Sequence, residues 1–206
     1  MIVIQHVSST VFQENTYIIK NNNFALIIDP GDDPEKITAR IEKENCKVQG
    51  ILATHGHVDH ILAAFRLCEV YSCPFIMSTL DSKGLDELKN MCVQFQLPYY
   101  GTPKIDINIA SNDMLELGDF SFNILHTPGH TKGSVCYLFD HILFSGDTLF
   151  HHSIGRTDLF GGDMQALQRS IKDKLLSLPD DTRIYPGHLE MTTIKEEKYH
   201  NPFIVL

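Results

Sequence analysis

Apolar residues near the start of the chain fall in short runs, so residues 1–7, 16–20 and 24–28 predict three strands, the third stopping abruptly at Asp29-Pro30-Gly31-Asp32. Asp33 and Pro34 then predict a helix start, an N-cap followed by a first-turn proline, with Ile37 and Ile41 on the buried face. Val48, Ile51, Leu52 and Ala53 predict a further buried strand, after which Ile61, Leu62, Phe65 and Cys68 recur with helical spacing. A short strand at 74–77 leads to an amphipathic helix carrying Leu85, Leu88, Met91, Cys92 and Phe95. The turn Gly118-Asp119 divides Met114, Leu115 and Leu117 from Phe120, Phe122, Ile124 and Leu125, which predicts a hairpin. Strands at 135–139, 141–144 and 182–185 follow, with a helix through Leu167, Ile171 and Leu175 before the last of them. Thr193 and Glu196 form a capping-box pair that starts a final short helix. Strands alternating with helices, without a linker or low-complexity tract, predict one α/β domain over residues 1–206.

The polar residues gather where these strands stop. Thr54-His55-Gly56-His57-Val58-Asp59-His60 sits on a strand-to-helix turn, and an extended segment lets His55 and His57 aim at one point while Asp59 and His60 aim elsewhere. Four such groups in six residues repel and desolvate one another unless a cation binds them, and three imidazoles with a carboxylate suit zinc or iron. The competing reading makes Asp59 a plain helix cap and the histidines surface polars. Later strand ends deliver His130 in Thr127-Pro128-Gly129-His130, Asp147 in Ser145-Gly146-Asp147, and His188 in Pro186-Gly187-His188. Collected, they give His55, His57 and His130 for one ion and Asp59, His60 and His188 for another, with Asp147 between them. Two cations sharing a carboxylate can hold a hydroxide, so no serine or cysteine nucleophile is needed.

Around this set, other residues carry two readings each. Asp29 either orients a metal-bound imidazole from behind or only stabilises its turn. His126 reads as a structural hydrogen-bonding residue, and His151 and His152 as exposed side chains rather than ligands. Arg156, in a glycine-rich loop, either grips a substrate carboxylate or pairs with Asp158 or Asp163. The Pro98–Gly101 segment either borders a cleft or packs on the core, and packing is the expected role.

Composition narrows the setting. A net charge of -9, from 26 acidic against 17 basic residues, opposes a nucleic-acid or anionic-membrane partner. No apolar run approaches the ~18 residues needed to span a bilayer, and the first residues do not look like a leader, so a soluble cytoplasmic protein is expected. Five cysteines, without a C-x-x-C, fit reduced and buried thiols; Cys68 and Cys73 are expected to pack rather than bind metal.

The H-x-H-x-D-H stretch and the Thr-Pro-Gly-His-Thr, Gly-Asp-Thr and Pro-Gly-His stretches resemble the metallo-β-lactamase superfamily. Within it, Asp29-Pro30-Gly31, residues 126–134, Gly155-Arg156-Thr157-Asp158 and Asn201-Pro202-Phe203 resemble the short glyoxalase II-like (hydroxyacylglutathione hydrolase-like) proteins. That resemblance implies an αββα sandwich and a binuclear centre at the sheet edge. The metals would be zinc foremost, with iron or manganese tolerated. It also implies hydrolysis of small thioesters, with Asp59 catalytic and Arg156 binding substrate. The chain departs from glutathione-specific members: no C-terminal helical domain follows His188, Arg156 and Asp158 stand where those members carry lysine and tyrosine, and Glu190 stands where they carry tyrosine. Persulfide dioxygenases of the same superfamily also resemble the chain and would use a single iron on His55, His130 and Asp147. A lactonase and a non-catalytic metal-binding protein stand behind these two readings.

Overall fold

In the computed structural model, which describes residues 2–7, 10–110 and 113–204, the strands assemble into two six-stranded sheets. The first contains β1 (Ile2–Val7), β2 (Asn15–Asn21), β3 (Phe24–Ile28), β4 (Lys47–Leu52), β5 (Phe75–Met77) and β6 (Ile107–Asn108), side by side in chain order. Met1, part of the predicted first strand, lies outside the described residues. From β3 to β6 the strands are parallel, and the crossovers between β3, β4 and β5 are α1 (Pro34–Glu44) and then α2 (Val58–Ile61) with α3 (Ala64–Tyr71). The crossover to β6 contains α4 (Ser82–Phe95). The second sheet is built from β7 (Met114–Leu117), β8 (Phe120–His126), β9 (Val135–Phe139) and β10 (Ile142–Gly146). After a ribbon of β11 (Leu149–Phe150) and β12 (Ser153–Ile154), α5 (Met164–Ser170) and a π turn at Ile171–Leu175, it is completed by β13 (Arg183–Pro186) and β14 (Thr192–Thr193). Helix α6 (Ile194–His200) follows.

Alternation along the strands sorts side chains into three apolar layers. Ile18, Ala25, Ile27, Ile51 and Phe75 face α1, α3 and α4. Their neighbours Tyr17, Ile19, Leu26, Ile28, Leu52 and Ile76 turn the other way, onto Phe122, Tyr137 and Phe144 of the second sheet. Cys136, Leu143 and Ile184 face Leu167, Ile171, Leu175 and Ile194 on the far side. Helix, sheet, sheet, helix is therefore the order of layers, the αββα sandwich expected. Two tyrosines within the middle layer fix the strand ends. Tyr17 donates its hydroxyl to the Pro186 carbonyl at 2.7 Å and Tyr137 donates to Ala53 at 2.7 Å. Removing the Tyr137 hydroxyl would leave the buried Ala53 carbonyl unpaired, a cost of about 1–3 kcal/mol, whereas Pro186 O keeps a second donor in Asn15 Nδ2 at 3.0 Å.

Three local expectations change. The single helix predicted after the histidine motif is two, because the Ala63 N–H donates to Pro30 O at 3.0 Å instead of continuing the helical ladder. Asp33 occupies the cap position of α1 in a left-handed conformation (φ 54°), makes no side-chain cap, and pairs with Lys36 at 3.1 Å. At α6 the Thr193 hydroxyl accepts from Glu196 N as expected, but the Glu196 carboxylate turns away to His152 and His200.

Candidate metal centre

Every residue expected to ligate lies in a turn beyond the end of a strand or in the first turn of a following helix. His55 and His57 follow β4, Asp59 and His60 lie in α2, His130 lies in the turn between β8 and β9, Asp147 follows β10, and His188 follows β13. Gly146 delivers Asp147 by adopting a left-handed conformation (φ 48°), where a Cβ would fall 2.3 Å from Thr54 Oγ1. At Gly187 a Cβ would lie 2.4 Å from Asp147 Oδ1 and 2.6 Å from His60 Cε1, so only glycine lets His188 approach.

The side chains form two groups. His57 Nδ1 lies 3.1 Å from His55 Nε2 and 2.9 Å from His130 Nε2. In the second group, Asp59 Oδ2 stands 3.3 Å from His188 Nε2 and 3.8 Å from His60 Nε2. Asp147 reaches both groups: its Oδ1 is 3.4 Å from His60 Nε2, and its Oδ2 is 3.5 Å from His130 Nε2 and 3.7 Å from His188 Nε2. The remote ring nitrogens are held from behind, as ligating imidazoles usually are. His60 Nδ1 bonds Asp29 Oδ2 at 3.0 Å, His130 Nδ1 bonds the Arg156 carbonyl at 2.7 Å, and His55 Nδ1 faces Thr54 Oγ1 at 3.1 Å. The Thr54 amide and hydroxyl both donate to the same Asp29 carboxylate at 2.6 Å, so Asp29 does more than shape a turn.

These residues fit divalent cations. His60 Nε2 and Asp147 Oδ1 are buried without a hydrogen-bond partner, which is costly for a protein alone. Three imidazole nitrogens also converge at hydrogen-bond distance, and a cation can accept all three lone pairs. Protonation differs between the groups. Burial, followed by the charges of its histidine neighbours, holds His55 well below the ordinary imidazole range, and burial with His130 pushes His57 down to about 4. For His60 burial acts downward, yet Asp147, Asp29 and Asp59 reverse it and raise the ring well above that range. Burial likewise opposes the outcome at His188, raised by Asp59 and Asp147, and at Asp147 and Asp59, each lowered chiefly by His60.

The remaining expected residues fall outside these two groups. Arg156 is exposed and its guanidinium makes a two-point ion pair with Asp158, at 2.7 and 2.7 Å, while its backbone carbonyl holds His130. His151 and His152 bond Glu190 and Glu196, each at 2.8 Å, and with Glu197 form a separate cluster. His126 ends β8 and, among the described residues, belongs to no ligand cluster. Cys68 and Cys73 are half-buried free thiols against the helical layer, and Tyr100 of the Pro98–Gly101 segment packs there too, bonded to Asp32 at 3.2 Å.

Two residues behind the site were not anticipated. Asp81 accepts from the Thr131 hydroxyl at 2.6 Å, Gly133 N at 2.8 Å and Gly56 N at 3.2 Å, tying the two loops that carry His55, His57 and His130. Glu14 is fully buried against Gly31, Thr16 and the Asp59 turn, and burial raises its carboxyl well above the usual range. An isolated acid before a strand carries no pattern that distinguishes it from a surface residue.

Residues 9–188 match the Metallo-beta-lactamase superfamily. The chain is 38% identical to hydroxyacylglutathione hydrolase GloC of Haemophilus influenzae, over 98% of this chain and 97% of that protein. Among solved structures it is similar to the BLEG-1 B3 metallo-beta-lactamase (TM-score 0.92, 37% identity, 98% of this chain and 99% of that one). It is also similar to TTHA1623 in a di-iron-bound form (TM-score 0.86, 36% identity, 96% and 98%). The chain belongs to the metallo-beta-lactamase superfamily. With its candidate ligand clusters, it is a metal-dependent hydrolase with glyoxalase II-like relatives. Among the described residues no helix is long and apolar enough to cross a membrane.

Proposed function

We propose that residues 1–206 act as one catalytic domain, a cytoplasmic hydrolase of small acyl thioesters that uses two divalent cations, zinc foremost. The observation that carries the reading is the pairing of two three-residue clusters through one carboxylate, Asp147. Similarity to a hydroxyacylglutathione hydrolase and to a di-iron structure supports it. Two bound cations would supply a hydroxide nucleophile near neutral pH and Lewis acidity for the carbonyl oxygen. His55, His57 and His130 would hold one, Asp59, His60 and His188 the other.

Among the described residues no cysteine belongs to either cluster. Cys136 is fully buried, bonds Thr127, and burial pushes its thiol up to about 11. Asp59, ionised beside His188, would accept a hydrogen bond from the attacking water and fix its direction. No strong general acid is required, because a thiol has a pKa of about 8.5 and its thiolate leaves unaided. An amide nitrogen must be protonated as it departs, so peptides are poor substrates. Arg156 stands at the rim as a contact for a substrate carboxylate, one that must exchange with Asp158.

The test offers S-lactoylglutathione, simple acyl thioesters and glutathione persulfide to zinc-, manganese- and iron-loaded protein. Thiol release from a thioester, with Asp59→Asn lowering kcat more than it changes KM, is the expected result. Oxygen consumption with the persulfide and no thiol release would give the assignment to the mononuclear-iron dioxygenase instead.

A further inference from the structure

Beside His57, on the flank of the three-histidine group, opens a cavity of about 270 Å³. Its wall is mostly apolar, with Val58, Leu80, Met91, Leu159 and Phe160 among the residues that form it. Leu80, Leu159 and Phe160 are 59%, 42% and 73% exposed, so three large apolar side chains meet water around one opening without packing against the core. Such a cluster adjoining a reactive centre is where the apolar part of a ligand gains by leaving water.

Lys83 and Lys132 also line this cavity. The Lys83 ammonium lies 3.3 Å above the centre of the Phe160 ring, and neither lysine has an ion-pair partner among the described residues. Two acids share the lining. Asp81 is spent on three internal donors, whereas Glu87, one helical turn from Lys83, bonds Asn90 at 3.2 Å. In a chain of net charge -9, two exposed lysines that line an apolar cavity without an ion-pair partner favour an anion at the far end of what enters.

We propose that this cavity receives the acyl half of the substrate, and that the preferred acyl group is a short aliphatic chain ending in a carboxylate held by Lys83 and Lys132. The proposal rests on the thioester-hydrolase reading for its orientation. The cavity adjoins His57, and His188, which belongs to the other ligand group, does not line it, so the thiol half lies away from it. At about 30 Å³ for each water-sized group the cavity takes about nine non-hydrogen atoms, the size of a glutaryl or adipoyl group.

Two measurements on metal-loaded protein test this. Calorimetry compares S-(5-carboxypentyl)-N-acetylcysteamine, a thioether that cannot be hydrolysed, with its methyl ester, and a kinetic assay compares glutaryl with pentanoyl thioesters of N-acetylcysteamine. The carboxylated thioether is expected to bind about fivefold more tightly than its ester, and the glutaryl thioester to be cleaved at a higher kcat/KM than the pentanoyl one; Lys83→Gln with Lys132→Gln is expected to remove both preferences. Phe160→Ala is expected to weaken both thioethers alike. Equal affinity for the two thioethers, or a preference that survives the double substitution, overturns the proposal. If the thioether preference appears and depends on the lysines while no thioester is cleaved, the cavity's selectivity stands and the hydrolase reading falls. Cleavage of both thioesters without a binding preference does the reverse.

Discussion

His55, His57 and His130 face one another through three imidazole nitrogens, two of them on rings whose proton affinity is lowered, chiefly by burial. Asp59, His60 and His188 instead mix a carboxylate with two imidazoles whose proton affinity is raised by Asp59, Asp147 and Asp29. Both groups would hold a cation, but protons compete for them differently. In the first, His55 and His57 are already stripped of protons by their surroundings. In the second, a cation must displace protons that neighbouring carboxylates favour. The second group is therefore the more easily emptied, although Asp147 is in reach of both.

The largest effect that sharpens this comparison comes from His188→Ala. Elemental analysis should find metal per chain falling from two to one, with thioester hydrolysis reduced to background; two retained metals would mean that His188 is not a ligand. Acidification comes next. A group whose pKa is raised carries its proton below that pKa, so metal affinity at His60 and His188 falls as pH drops through it. His57, pushed down to about 4, stays unprotonated across the same range. Zinc titrations near pH 7.5 and about pH 5.5 should show the second equivalent weakening strongly and the first much less. Equal weakening of both would remove the distinction.

A smaller change is expected from Asp29→Asn, which weakens the support behind His60 Nδ1. Affinity for the second cation should drop by about 10–100-fold, with a smaller loss at the first through Thr54, which donates to the same carboxylate and faces His55. Arg156→Ala is the mildest. Its side chain lies outside both groups, so KM should rise by no more than about fivefold with kcat nearly unchanged. An unchanged KM for every substrate cleaved would leave Arg156 only its ion pair with Asp158.

The same contrast bears on what the chain discloses before it is folded. His55, His57, Asp59 and His60 stand within six residues, and His130, Asp147 and His188 each follow a strand with glycine beside them, so spacing and turn chemistry mark all seven as candidates. The αββα layering is less direct. Strands β2 and β3 are continuous runs buried on both faces, so no alternation tells one face from the other, and nothing local says that Tyr17 reaches Pro186 or that Tyr137 reaches Ala53. The residues that hold the ligands from behind are harder still. Asp29 carries a turn signal as well as a supporting one, and Asp81 and Glu14 act across long sequence separations that no spacing encodes. Two-residue strands such as β6 and β14 are too short to show a period.

The central claim, two cations acting together on a thioester, is tested most directly by following hydrolysis of a simple acyl thioester as zinc is added stepwise to metal-free protein. Cooperation between the groups predicts little activity at one equivalent and a rise that continues to two, with bound metal measured on the same samples. Full activity at one equivalent, unchanged by the second, would contradict it.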